Sequence, residues 1–122
     1  EPEGEEPVKE EQLDPDRQFL LHLIDVVNVN LPSGRYGVED IASEMNMGVQ
    51  TFRRRLLSVT GESPKAFISA IQMELAAKLL TDSPDMSVTQ IANRCGYDEV
   101  TSFGRTFRKT YGISPSQYRE NH

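Results

Sequence analysis

The sequence predicts an all-α protein of two helix-turn-helix lobes joined by a long connector helix. Three observations predict it: helical spacing of apolar residues, caps at regular intervals, and one segment that occurs twice. The later copy runs from Ile91 to Tyr118, IANRCGYDEVTSFGRTFRKTYGISPSQY, and the earlier from Ile41 to Phe67, IASEMNMGVQTFRRRLLSVTGESPKAF. Ile41 and Ala42 match Ile91 and Ala92 at an offset of 50. Phe52/Phe103, Arg54/Arg105, Leu56/Phe107, Gly61/Gly112, Ser63/Ser114, Pro64/Pro115 and Phe67/Tyr118 match at 51, so the later copy carries one extra residue. That residue is expected between Gly96 and Glu99, in a turn. Two copies at so long a period make a paired module rather than a solenoid.

Residues 1–13, EPEGEEPVKEEQL, contain six glutamates, two prolines and a glycine, with too little apolar surface to offset the entropy of ordering. They read as an acidic linker or disordered arm, with folding back onto a basic face as the alternative. The domain proper is expected over 14–122, as a first lobe at about 14–62, a connector helix at about 63–82 and a second lobe at about 85–122.

Asp14 is a good N-cap and Pro15 a good first helical residue for a helix that buries Phe19, Leu20, Leu23, Ile24, Val27 and Leu31. Pro32, Ser33 and Gly34 end it, and its valines leave it dependent on packing. Val38 to Asn46 reads as a short helix, with Glu39 and Asp40 at its positive end. Met47 and Gly48 complete a turn into a second helix over Val49 to Thr60, in which Met47 can staple onto Phe52. Ser63 and Pro64 open the connector, whose apolar stripe is Phe67, Ile68, Ile71, Leu75 and Leu79. Ser87 and Gln90 form a capping box, Gly96 marks a turn, and a helix follows from about Glu99 to Tyr111. Ser114, Pro115 and Gln117 start a terminal helix that ends near Arg119. No segment reads as a strand.

Composition removes several classes of function. At 122 residues and 37% hydrophobic the chain holds one modest core or two very small ones, and no apolar run approaches a membrane span. The chain therefore reads as soluble. One cysteine, Cys95, excludes an intrachain disulfide and a cysteine metal cluster, and reads as a buried core residue. His22 and His122 lack spaced partners, and no nucleophile-base set has a recognisable signature, so neither a metal, a cofactor nor a catalytic residue is expected. The net charge of −6 opposes nucleic-acid binding only as a sum. Residues 1–13 hold −5 of it, six glutamates against one lysine, leaving −1 for the rest.

Stepping about 100° per residue from Phe52 places Val49, Phe52, Leu56 and Val59 inward, with Gln50, Arg53, Arg54 and Leu57 outward. In the later copy Val100, Phe103 and Phe107 fall inward, and Thr101, Gly104, Arg105 and Arg108 outward. Such a face suits the major groove: arginine pairs bidentately with guanine, glutamine with adenine, and threonine meets a base edge or a methyl. Arg55, Arg108 and Lys109 flank it as phosphate contacts. A solvated face is the bland reading of any one arginine, but two matched faces in two matched units favour duplex DNA. The rival is a helical interaction module that docks an acidic protein. Gly104, inside a helix at a cost of about 1 kcal/mol relative to alanine, either admits a groove wall or relieves crowding against the core. Gly61 and Gly112 follow helices as left-handed caps.

The later copy, through Arg119, closely resembles the signature of the AraC/XylS family of bacterial transcription regulators, and the earlier copy its less regular first unit. The resemblance spans about residues 14–119. It implies seven helices, with two recognition helices in successive major grooves on one face of the DNA. By position it assigns base reading to Gln50, Thr51, Arg53 and Arg54 in the first lobe, and to Thr101, Ser102, Gly104 and Arg105 in the second. Two residues depart from the pattern: Gly48 replaces a capping serine, and Gln72 a basic residue of the connector. The resemblance also implies an upstream sensor or receiver domain, as in a response regulator or hybrid two-component sensor, contact with RNA polymerase, and oligomerisation through those missing domains. Such a full-length protein is either free in the cytoplasm or anchored at the membrane. The absence of an initial methionine and the acidic arm fit a piece of such a chain.

Overall fold

A computed structural model describes residues 14–122, which form seven α-helices and, among those residues, no strand. They are α1 (Pro15–Asn30), α2 (Val38–Glu44), α3 (Val49–Thr60), α4 (Pro64–Asp82), α5 (Val88–Arg94), α6 (Val100–Tyr111) and α7 (Pro115–Asn121). The acidic segment 1–13 lies outside the described residues.

Local chemistry sets the starts and stops. The Asp14 carboxylate accepts from the Arg17 amide at 2.8 Å, and Pro15 follows it, as a helix start requires. Ser63 caps α4 through the Ala66 amide at 3.2 Å, and Ser87/Gln90 and Ser114/Gln117 form complete capping boxes on α5 and α7. Gly61 and Gly112 end α3 and α6 with φ of 78° and 85°, in the left-handed region.

Two hydrophobic clusters result. The first gathers Phe19, Leu23 and Val27 of α1, Ile41 of α2, Phe52 and Leu56 of α3, and Ile68 and Ile71 of α4. The second gathers Met73, Ala76 and Leu80 of α4 with Ile91, Cys95, Phe103 and Phe107. Leu75 packs against both. The connector therefore carries two apolar faces instead of the one stripe expected. Phe67, Leu75 and Leu79 are only half-buried, and Met73, Ala76 and Leu80 form the second face. A helix laid between two cores is covered from both sides, so a single amphipathic period does not describe it.

Two further expectations are corrected. Ile24 is 38% exposed and Val26 is buried instead, because the α1 stripe turns along Phe19, Leu23, Val26 and Val27. Val100 is 40% exposed rather than inward, since it is the first residue of α6 and stands ahead of the turn that packs.

The duplication persists in the backbone. Met47 donates to the Ala42 carbonyl and Tyr97 to the Ala92 carbonyl, both at 2.9 Å, so the two turns correspond as far as Met47 and Tyr97. Gly48 alone then caps α3, whereas both Asp98 and Glu99 precede Val100. The extra residue of the later copy thus sits at Asp98–Glu99, beyond the left-handed turn residue.

Candidate nucleic-acid interface

Phe52 and Leu56 on α3, and Phe103 and Phe107 on α6, have no exposed surface and fix which sides of these helices face out. Phe19 tilts against Phe52 with ring centres 6.3 Å apart. Phe107 meets Phe103 at 5.9 Å, Tyr111 at 4.7 Å and Tyr118 at 5.4 Å, so α6 is held against α7 by an aromatic cluster. On the opposite side of α3 stand Gln50, Thr51, Arg53 and Arg54, all exposed. On α6 Thr101, Arg105, Arg108 and Lys109 are exposed, and Ser102 and Gly104 are half-buried. A methyl group added to Gly104 would meet nothing within 4 Å, so relief of core crowding does not explain that glycine.

Both helices border one cleft of about 550 Å³. Arg53 of α3, Thr106 of α6, Lys65 at the start of α4, Tyr36 and Tyr97 line it, with Gln72 among them. Arg53 of α3 and Thr106 of α6 therefore face a shared gap.

Arg55 is placed differently from its fellow flanking cations. Its guanidinium donates to the Pro15 carbonyl at 3.2 Å, lies 3.5 Å from the Asp16 carboxylate and covers the Phe19 ring at 4.8 Å. It ties α3 to the start of α1, whereas Arg108 and Lys109 stand in solvent. Arg119 also works inside the molecule. Its Nε and Nη2 donate to the carbonyls of Leu80 at 3.0 Å and Ser83 at 3.1 Å, satisfying the end of α4.

Some contacts near the cleft had no sequence signal. Tyr36 donates its hydroxyl to the Gly96 carbonyl at 2.5 Å, 60 residues away, and Lys65 joins the cleft wall from the first turn of α4. Gln72 reads in the sequence only as a missing positive charge. It is 5% exposed and donates Nε2 to the Cys95 carbonyl at 2.9 Å, so it is a buried structural donor. Cys95 itself is buried, and burial pushes its thiol up to about 12, which keeps it neutral and unreactive. No helix among the described residues is long and apolar enough to cross a membrane.

Two helix-turn-helix units that present cationic, hydrogen-bonding helices on either side of one cleft define the DNA-binding domain of a transcription regulator. The profile described as a helix-turn-helix domain matches residues 41–121. The chain is 36% identical over 101 residues to the HTH-type transcriptional regulator MtrA of Neisseria gonorrhoeae, covering 83% of this chain and 33% of MtrA. The C-terminal domain of AraT, a response regulator from Geobacillus stearothermophilus, superposes with a TM-score of 0.76 at 27% identity, over 91% of this chain and 88% of that one. The DNA-binding domain of AdpA, a global transcriptional factor solved in complex with a target DNA, does so with a TM-score of 0.72 at 29% identity, over 89% and 93%. The chain belongs to the AraC-type helix-turn-helix family. It spans a third or less of the length of the first curated relatives it matches.

Proposed function

We propose that this chain reads duplex DNA as the output domain of a bacterial transcription regulator, with α3 and α6 in adjacent major-groove segments. Residues 14–62 and 85–122 are the two reading lobes, and 63–82 the connector. Gln50, Thr51, Arg53 and Arg54 read bases from α3, and Thr101, Ser102 and Arg105 from α6, while Gly104 lets the groove wall approach. Arg108 and Lys109 hold phosphates. One turn of DNA separates the grooves by about 34 Å, and a shorter spacing in the protein requires a bend costing about 1–6 kcal/mol. The observation that carries this reading is the pair of matched helix-turn-helix units whose second helices both expose arginines, Arg53 and Arg54 on α3 and Arg105 and Arg108 on α6.

The domain has no chemistry of its own and acts by position. Its likeness to the C-terminal domain of the response regulator AraT supports a receiver or other sensor upstream in a longer, cytoplasmic or membrane-anchored protein. That longer protein supplies oligomerisation, and the surfaces away from the cleft remain for RNA polymerase. The test starts from a duplex selected by the protein out of a random pool. Arg54→Ala and Arg105→Ala should each weaken binding to it by about 1–3 kcal/mol and relax the preference at one base pair. Equal affinity in both variants, with the fold intact, overturns the base-reading assignment.

A further inference from the structure

The two copies of the repeat differ most informatively at the left-handed residue of the helix-turn-helix turn. Asn46 takes it in the first copy with φ 59°, and Gly96 in the second with φ 94°. Asparagine tolerates that conformation, so the backbone alone does not demand glycine. The demand comes from the other lobe. A Cβ on Gly96 would stand 2.7 Å from Cε2 of Tyr36 and 3.1 Å from the Leu31 carbonyl oxygen. Tyr36 and Leu31 belong to the segment between α1 and α2, so the first lobe is seated on the turn of the second.

Two hydrogen bonds hold that turn, one from the first lobe and one from the connector α4. The consecutive carbonyls of Cys95 and Gly96, just past the end of α5, accept from Gln72 and from Tyr36. Gln72 is buried, so its bond is shielded from water and its loss would strand a carbonyl. Besides the connector, the segment between α1 and α2 meets the second unit at this turn, and α6 begins four residues after Gly96. Gripping this turn therefore sets where α6 stands relative to α3.

Resting on the reading that α3 and α6 both enter DNA, we propose that Tyr36 and Gln72 are positioning residues that fix the distance between the recognition helices, and so the half-site spacing this protein accepts. They touch neither base nor phosphate. Their removal loosens the register between the lobes while each lobe keeps its own core.

The test pairs a measurement without DNA and one with it, on the whole 122-residue chain. Spin labels on Glu44→Cys and Glu120→Cys, both exposed positions outside the cleft, report the distance between lobes, and the buried Cys95 stays unlabelled. The parent should give one narrow distance, and Tyr36→Phe with Gln72→Met a broad distribution, at unchanged helical content. On the selected duplex, inserting or deleting one base pair between half-sites should cost the parent roughly tenfold in affinity and the double variant roughly threefold or less. The same distance distribution and the same spacing profile in parent and variant overturn the proposal, and so does a uniform loss of affinity at every spacing. Where the double variant loses its cooperative melt, Tyr36→Phe, which deletes one oxygen, carries both measurements. A parent that selects no duplex overturns the DNA reading and the spacing role with it, while the label distances separately decide whether the seat holds the lobes.

Discussion

Two glycines of the second unit have opposite meanings, and alanine separates them. Gly104 lies inside α6 with open space where its Cβ would be, so Gly104→Ala should stabilise the fold by about 1 kcal/mol in chemical denaturation. Weaker binding to the selected duplex in that more stable variant would show that the glycine serves the groove. Gly96→Ala meets a left-handed φ and the Tyr36 ring at once, and should cost about 1–3 kcal/mol. The exposed face of α6 was legible from the sequence because a helix sets orientation from its own apolar spacing. The partner of Gly96 was not, since 60 residues separate it from Tyr36 and no local period encodes that meeting. Cys95 adds a pH dependence. Burial raises its thiol from the ordinary 9.0 to about 12, so above pH 9 the unfolded chain sheds a proton that the folded one keeps. The contribution is whole below that pH and lost as pH rises towards 12. Stability in urea should fall between pH 9 and 11, and Cys95→Ala should flatten that slope.

Among the helices, both recognition elements start without a side-chain cap, as α2 does on Gly37. Neither Gly48 on α3 nor Glu99 on α6 makes a side-chain cap, whereas Ser87 and Ser114 complete boxes on α5 and α7. Gly48 has an extended backbone and open space where a Cβ would stand, so Gly48→Ser should raise stability by a few tenths of a kcal/mol. Ser87→Ala should lower it by about 1 kcal/mol, a fall of roughly 4 °C in Tm for a domain of this size. Helix starts of this kind were readable because caps are local. The double-faced burial of α4 was not: Met73, Ala76 and Leu80 interleave with Ile68 and Ile71 until no single stripe stands out, and only the presence of a second core separates them. Arg119 shows the same limit, since a residue of the family signature turns out to close the end of α4 from 36 and 39 residues away.

At the scale of the molecule the duplication gives the protein a direction. Its second unit carries an extra residue at Asp98–Glu99, Gly104 in its recognition helix, and the turn on which the first unit sits. Unequal lobes should read unequal half-sites, so the bound protein points one way along the DNA. Charge is just as unevenly placed. Residues 1–13 hold −5 of the net −6, and the remaining 109 residues, with 12 lysines and arginines against 13 acids, are close to neutral. An acidic segment tethered to arginine-bearing helices would compete with phosphate for them if it folds back onto them. Removing residues 1–13 should therefore strengthen nonspecific duplex binding at low salt, where a Debye length of about 30 Å lets the tail act across the domain. The gain should shrink towards physiological salt, where that length is about 8 Å. A titration of parent and truncated chain on random-sequence duplex at both salt concentrations checks it. Identical affinities at low salt would leave the segment no electrostatic role, and a gain that survives high salt would mean that it obstructs the reading faces by bulk instead of by charge.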